Sequence, residues 1–263
     1  MGPRSQAKAA SNAKRKDPEP PVPAPDWPAL QPLVPTTDLT RKTLLEEQII
    51  VIHNLFTSTL CKKYVSFLSQ LPLVTTPVQP KAGDAVRVND RLQFDDAAFA
   101  EQLWSSTALK QLVNGANESN DPEILTRDGL KKLWGGEVCG LNPRIRIYRY
   151  GPGQFFGQHY DESNTTIFPT SPPTPAKTTW TLLIYLTGPA TGCVGGETVF
   201  YPELGPAKKF SGKTSEGTAL IAVELEVGMA LLHKHGQDCL LHEGRKVTKG
   251  EKWVIRSDLC VKR

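Results

Sequence analysis

From Asn142 to the C-terminus the chain breaks into short apolar runs, at 144–150, 179–187, 197–201, 218–224, 229–233, 239–242 and 252–260. Gly, Pro and Ser/Thr loops separate them, and almost nothing between them is helical in pattern. Runs this short cannot each bury a helix face, whereas as strands they can pair and share one core. The solution open to such a stretch is an antiparallel sandwich or barrel.

The preceding residues have a different texture. Residues 1–35 are rich in Pro, Ala, Ser and charge and read as a disordered tail, because little in them can offset the entropy of ordering. Residues 44–141 read as a support region. Gln48-Ile49-Ile50-Val51-Ile52 suits a short buried strand, and Thr57 or Ser58 can cap a helix through Leu60, Tyr64, Phe67, Leu68 and Leu71 that ends by Pro72. After a loop at 72–84, residues 85–91 alternate as one strand, with Arg87, Asn89 and Arg91 on one face. Asp95 or Asp96 can cap a second helix holding Phe99, Leu103 and Trp104, and a third, at 123–134, stops at Gly135-Gly136. The expected class is therefore α+β, mainly β: flanking N-terminal helices, then a jelly-roll (double-stranded β-helix) core over 142–263.

Several classes fit poorly. The net charge is only +4 and part of it lies in the first sixteen residues, so a nucleic-acid-binding face is not indicated. Five scattered cysteines without a CxxC pair suit free thiols in a reducing compartment. No apolar run reaches membrane-spanning length, and the N-terminus lacks the apolar centre of a secretory signal. The expectation is a cytoplasmic or nuclear protein, not a secreted one. Lys14-Arg15-Lys16 reads either as a nuclear import signal or as a solvated charge run.

The chemistry concentrates in Tyr150-Gly-Pro-Gly-Gln154-Phe-Phe-Gly-Gln-His159-Tyr-Asp161. On a strand, residues two apart share a face, so His159 and Asp161 can aim an imidazole nitrogen and a carboxylate at one ion. The third ligand must come from His233, His235 or His242. Two histidines and one carboxylate describe the facial triad of non-haem iron(II) oxygenases, which leaves positions open for an α-keto acid and O₂. Closed zinc sites need four protein ligands.

In order, these features resemble the catalytic domain shared by prolyl 4-hydroxylases and related iron(II)/2-oxoglutarate dioxygenases over roughly 142–260. The resemblance rests on Tyr150-x-x-Gly153-Gln154 before His159-x-Asp161, then Thr181-Leu-Leu-Ile-Tyr185-Leu186. It continues through Gly195-Gly196-Glu197-Thr198-Val-Phe200, Glu226-Val-Gly228-Met-Ala-Leu-Leu232 and His242-Glu-Gly-x-x-Val247-x-x-Gly250-x-Lys252-Trp253. It implies His159, Asp161 and His242 as the Fe(II) ligands, with His235 the next candidate for the third position. It also implies Lys252, ten residues after His242, as the cation for the distal carboxylate of 2-oxoglutarate. Arg256 is either a second contact or a partner of Asp258. Tyr150 and Tyr185 either meet the co-substrate or pack in the core.

The implied reaction hydroxylates a C–H bond, with O₂ and 2-oxoglutarate consumed and succinate and CO₂ released. By analogy only, L-ascorbate sustains it. A peptidyl proline is the first substrate suggested, a protein, peptide or small molecule the broader class. Arg87, Asn89 and Arg91 either contact a polar or anionic substrate or form a solvated face. Two other readings stand beside this one: a jelly-roll binding module that makes no succinate, and a nucleic-acid demethylase, whose closing arginine pair is not matched by Arg256 and Arg263. The 166–175 segment is expected to be a lid near the metal.

Overall fold

A computed structural model describes residues 23–76, 85–115, 126–204 and 220–263. Two facing antiparallel sheets form a jelly roll. The larger, of ten strands, is built on Thr174–Tyr185, which lies between Ala230–Lys234 and Lys252–Lys262. On one side it continues through Arg144–Tyr150 and Asp90–Asp95 to Val74–Thr75. On the other it continues through Ile49–Ile52 to Arg41–Leu45. The smaller runs Ile221–Val223, Thr198–Phe200, His242–Gly244, Phe155–His159, Arg87–Val88.

Period-two alternation sorts the central strand between two cores. Trp180, Leu182 and Ile184 face outward, into a cluster with Leu60, Tyr64, Leu68, Phe99 and Leu103 of the helices. Thr181, Leu183 and Tyr185 face inward, where Tyr148, Tyr150, Tyr185 and Leu231 meet Phe200 and Val223 of the smaller sheet. Thus the helices cover one face of the large sheet and the smaller sheet covers the other.

The helices begin where capping residues allow. Thr57 accepts from the Leu60 amide ahead of Ser58–Leu68, and Asp96 accepts from the Phe99 amide ahead of Ala97–Ser106. Arg127–Trp134 ends at Gly135, at φ +78°. A short helix at Leu109–Val113 was not anticipated by the capping signals. No helix among the described residues is long and apolar enough to cross a membrane.

Three expectations are corrected. The tail expected through residue 35 becomes ordered earlier: Trp27 stacks on Phe99 at 3.9 Å and donates from Nε1 to Asp96, while Leu30 is buried. Residues 1–22, including Lys14–Lys16, lie outside the described residues. The expected lid is instead a hairpin: Thr165–Phe168 pairs with the start of Thr174–Tyr185, and Phe168 packs against Ala176 and Cys260. A Cβ on Gly140 would stand 2.7 Å from the Phe168 ring, so this anchor is closely fitted. Finally, the expected 85–91 strand divides at Asn89, where the chain leaves the small sheet for the large one.

Candidate metal centre

His242 pairs with His159 across adjacent strands, which brings their ring centroids within 4.2 Å. Each imidazole is fixed by a backbone carbonyl. His159 Nδ1 donates to Gly157 O at 2.8 Å and His242 Nδ1 donates to Leu240 O at 2.9 Å. A carbonyl can only accept, so Nδ1 carries the proton and Nε2 keeps its lone pair. Both Nε2 atoms face Asp161, at 3.7 Å from Oδ1 and 3.8 Å from Oδ2. The three residues form a cluster able to hold one metal ion.

Protonation favours that use. Burial holds both imidazoles below the ordinary histidine value, and His242 lowers His159 further. Burial alone would raise the Asp161 carboxyl, but Arg256 and the surrounding imidazoles hold it well below the usual carboxylate range. Neutral imidazoles and an ionised carboxylate are the states a metal ligand needs.

Asp161 is held on several sides. Arg256 Nη2 lies 3.0 Å from Oδ2 and its Nη1 donates to Oδ1 at 3.2 Å. Thr181 Oγ1 donates to Oδ2 at 2.8 Å. His235, the alternative third ligand, sits behind Thr181: Nδ1 meets Thr181 Oγ1 at 3.0 Å and Nε2 meets Thr178 Oγ1 at 2.9 Å. With both nitrogens engaged, His235 supports the carboxylate from outside the donor cluster.

Next to the donors opens a cavity lined by Tyr148, Tyr150, Phe156, Leu183, Thr198 and Val254, with Lys252 in its wall. Lys252 is 5 % exposed and its Nζ donates to Gly196 O at 2.6 Å. It lies 5.5 Å from the Tyr150 ring centroid and 5.3 Å from that of Tyr185. Among the described residues no carboxylate pairs with it, and burial pushes its ammonium down to about 8, against the pull of Cys193 and Glu197.

Gly196 makes this arrangement possible. Its φ is +81°, and a Cβ there would press on Val247 at 3.0 Å and on Lys252 Cδ at 3.2 Å. A buried ammonium with one carbonyl partner beside two aromatic rings is a cradle for an anion.

Tyr185 and Tyr150 are buried, and burial pushes both phenols up. The Tyr185 hydroxyl is engaged with Thr198 Oγ1 at 2.7 Å, while Tyr150 lines the cavity. Arg87 sits over Phe156, and Arg91 is opposite cavity-lining Tyr148. Asn89 is fully buried and braced by Thr76, so it does not belong to an exposed face.

His233, one of the three histidines weighed for the third position, points its Nε2 at Asp161 Oδ2 from 3.7 Å, and among the described residues its buried Nδ1 has no hydrogen-bond partner. The signal was present in the alternation: Met229, Leu231 and His233 share the inward face of one strand.

Residues 145–257 match the family model of the 2OG-Fe(II) oxygenase superfamily. No curated protein matches the chain. Among solved structures, a viral collagen prolyl hydroxylase of Paramecium bursaria Chlorella virus-1 aligns at 17% identity and TM-score 0.44, covering 81% of this chain and 96% of that one. A prolyl-4-hydroxylase of Pseudomonas putida aligns at 12% and 0.47, covering 82% and 93%. A Trichoplax adhaerens prolyl hydroxylase, solved with a hypoxia-inducible-factor peptide fragment, aligns at 15% and 0.47, covering 81% and 83%.

Proposed function

We propose, from the match of residues 145–257 to the 2OG-Fe(II) oxygenase superfamily, that this chain is an iron(II)- and 2-oxoglutarate-dependent dioxygenase hydroxylating a C–H bond. One observation carries this reading. Three donors with the protonation states a metal requires stand beside a cavity whose wall holds a buried lysine with no carboxylate partner among the described residues. His159, Asp161 and His242 would hold Fe(II), and Lys252 would take the distal carboxylate of 2-oxoglutarate. Together with O₂, the loaded iron supplies the oxidising power for hydroxylation, releasing succinate and CO₂.

The remaining work belongs to the protein. Gly157 O and Leu240 O keep the imidazoles turned toward the metal position, as outer-shell acceptors do. Arg256 and Thr181 keep the Asp161 carboxylate ionised and oriented. Arg256 is committed there and to Asp258, which leaves Lys252 as the cation for the co-substrate and the Tyr150 hydroxyl as a second group for it. The aromatic walls exclude water from the reacting carbon. Peptidyl proline is the first substrate to try, on the strength of the motif order alone, with ascorbate added to the assay.

The deciding experiment is an anaerobic optical titration with Fe(II) and then 2-oxoglutarate. A weak visible charge-transfer band should appear with the wild type and be missing from His242→Ala. Iron binding without the band leaves a metal-binding jelly roll and ends the enzyme reading. A band retained by the variant removes His242 from the ligand set.

The same titration run against pH tests Lys252. Its cationic form binds the carboxylate, and burial pushes its ammonium down to about 8. Affinity for 2-oxoglutarate should be level below pH 8 and fall roughly tenfold per unit above it, until the pKa of the occupied state is reached. Lys252→Arg, which stays charged, should bind with no such fall. An equal fall in both proteins would place the titrating group elsewhere.

A further inference from the structure

The crossing at Asn89 sets two arginines on the inner faces of opposite sheets. Arg87 pairs in register with Phe156 and Arg91 with Tyr148, and residues directly opposite in antiparallel strands share a face. Phe156 and Tyr148 both line the metal cavity. Hence Arg87 and Arg91 flank one edge of it from two sides, with Tyr148 between them; the Arg87 guanidinium carbon is 5.6 Å from that ring.

Among the described residues their charges are uncompensated. The neighbouring cations are taken up: Arg146 on this wall by Asp258 at 3.1 Å, Arg256 by Asp161, and Arg149 on the outer face by Asp90 at 2.7 Å. Glu243, on the opposite wall, accepts from the Tyr201 hydroxyl at 2.6 Å and lies 4.0 Å from Arg245. Among the described residues neither Arg87 nor Arg91 has a carboxylate partner. Arg87 lies 3.7 Å from the Phe156 centroid, and Phe156 in turn stacks on His159 at 3.5 Å. A stacked guanidinium uses its face and leaves its in-plane N–H groups for a planar or tetrahedral oxyanion.

The spacing is preset as well. Asn89 is fully buried at the crossover, its amide donating to Thr76 Oγ1 at 3.0 Å and its carbonyl accepting from the Thr76 amide at 2.8 Å. The two arginines therefore hang from a fixed hinge.

We propose that Arg87 and Arg91 form an oxyanion clamp for the primary substrate, which presents a carboxylate or phosphate at the cavity edge, one aromatic ring away from His159. The proposal rests on the dioxygenase reading and narrows its substrate to an anionic molecule. It makes Arg87 and Arg91 specificity-determining residues, distinct from Lys252, which serves the co-substrate.

The test uses the full chain with Mn(II) and saturating 2-oxoglutarate, so that Lys252 is occupied. Inorganic phosphate is followed by ³¹P relaxation and, separately, acetate by ¹³C relaxation, beside the 2-oxoglutarate proton signals. The wild type should relax at least one probe, and Arg87→Gln/Arg91→Gln should reduce that effect about tenfold while melting normally and keeping the 2-oxoglutarate signal. Enhancement confined to phosphate assigns a phosphorylated substrate, and enhancement confined to acetate assigns a carboxylate. Relaxed 2-oxoglutarate with no probe effect in the wild type, or an equal effect in the variant, overturns the clamp. Unrelaxed 2-oxoglutarate sinks the dioxygenase reading instead. Calorimetric titration of the metal-free chain with the same two probes then decides the clamp alone: weaker heat in the variant supports it, and equal heat removes it.

Discussion

Lys252→Met is expected to give a protein that is harder to unfold and that no longer retains 2-oxoglutarate. Burial lowers the Lys252 ammonium from 10.5 to about 8. At about 1.4 kcal/mol per unit, holding the charged amine in the fold below pH 8 costs about 3 kcal/mol. Methionine fills similar space without a charge, and the stranded Gly196 carbonyl costs about 1 kcal/mol of that gain. A net gain of about 2 kcal/mol should raise the melting temperature by roughly 4–8 °C.

The pH dependence identifies the cause. Between about 8 and 10.5 the unfolded wild type binds more protons than the folded one, so wild-type stability should climb across that window. The methionine variant should show no such climb. Its affinity for 2-oxoglutarate should fall about a hundredfold or more, since removing one partner of a buried charge pair costs about 3–5 kcal/mol. A variant that melts lower, or that binds 2-oxoglutarate normally, would show that Lys252 is a structural residue.

The same lysine shows what could be read before the fold was known. Ordered short runs with turn residues between them define an antiparallel architecture because period-two alternation leaves few other ways to bury those side chains. The His159-x-Asp161 spacing likewise transmits itself to geometry over two residues. What lay beyond reach were contacts between segments distant in sequence. Asp161 is gripped by Arg256, 95 residues later, and Trp27 donates to Asp96, the capping residue of a helix that begins 70 residues on at Ala97. Asn89 sits in an alternating run that looks like one strand, and nothing local announces that the chain changes sheets there. Phe168 looked like part of a Pro-rich loop because its anchor, the bare backbone of Gly140, carries no side chain to suggest a contact. His233, one of the three candidates for the third ligand, was legible as inward-facing, since the alternation of its strand already pointed it there.

Asp161→Asn should remove metal binding while leaving most of the fold, and Arg256→Met should do the reverse. The asparagine keeps an oxygen for Arg256, which also retains Asp258 at 3.3 Å, so no buried cation is stranded. An amide is a poor ligand for a divalent ion, however, and Mn(II) affinity should fall by more than the 10–100-fold typical of lost outer-shell partners, to roughly a thousandth. In Arg256→Met the carboxylate stays buried with Thr181 as its hydrogen-bond donor, and the loss of its ion pair should cost about 3–5 kcal/mol. In the wild type, the stability contributed by ionised Asp161 is present above the ordinary carboxylate range and is lost only as pH falls through its much lower folded value. Without Arg256, burial pushes that carboxyl upward; once it stands above its unfolded value the sign reverses, and stability should fall as pH rises from the carboxylate range toward neutral. Mn(II) bound to Asp161 would replace the missing positive charge, so added metal should recover much of the lost stability in Arg256→Met and none in Asp161→Asn. Thermal melts of both variants with and without Mn(II) separate the two roles: a metal response in Asp161→Asn would take the carboxylate out of the ligand set, and no response in Arg256→Met would make the arginine part of the metal site itself.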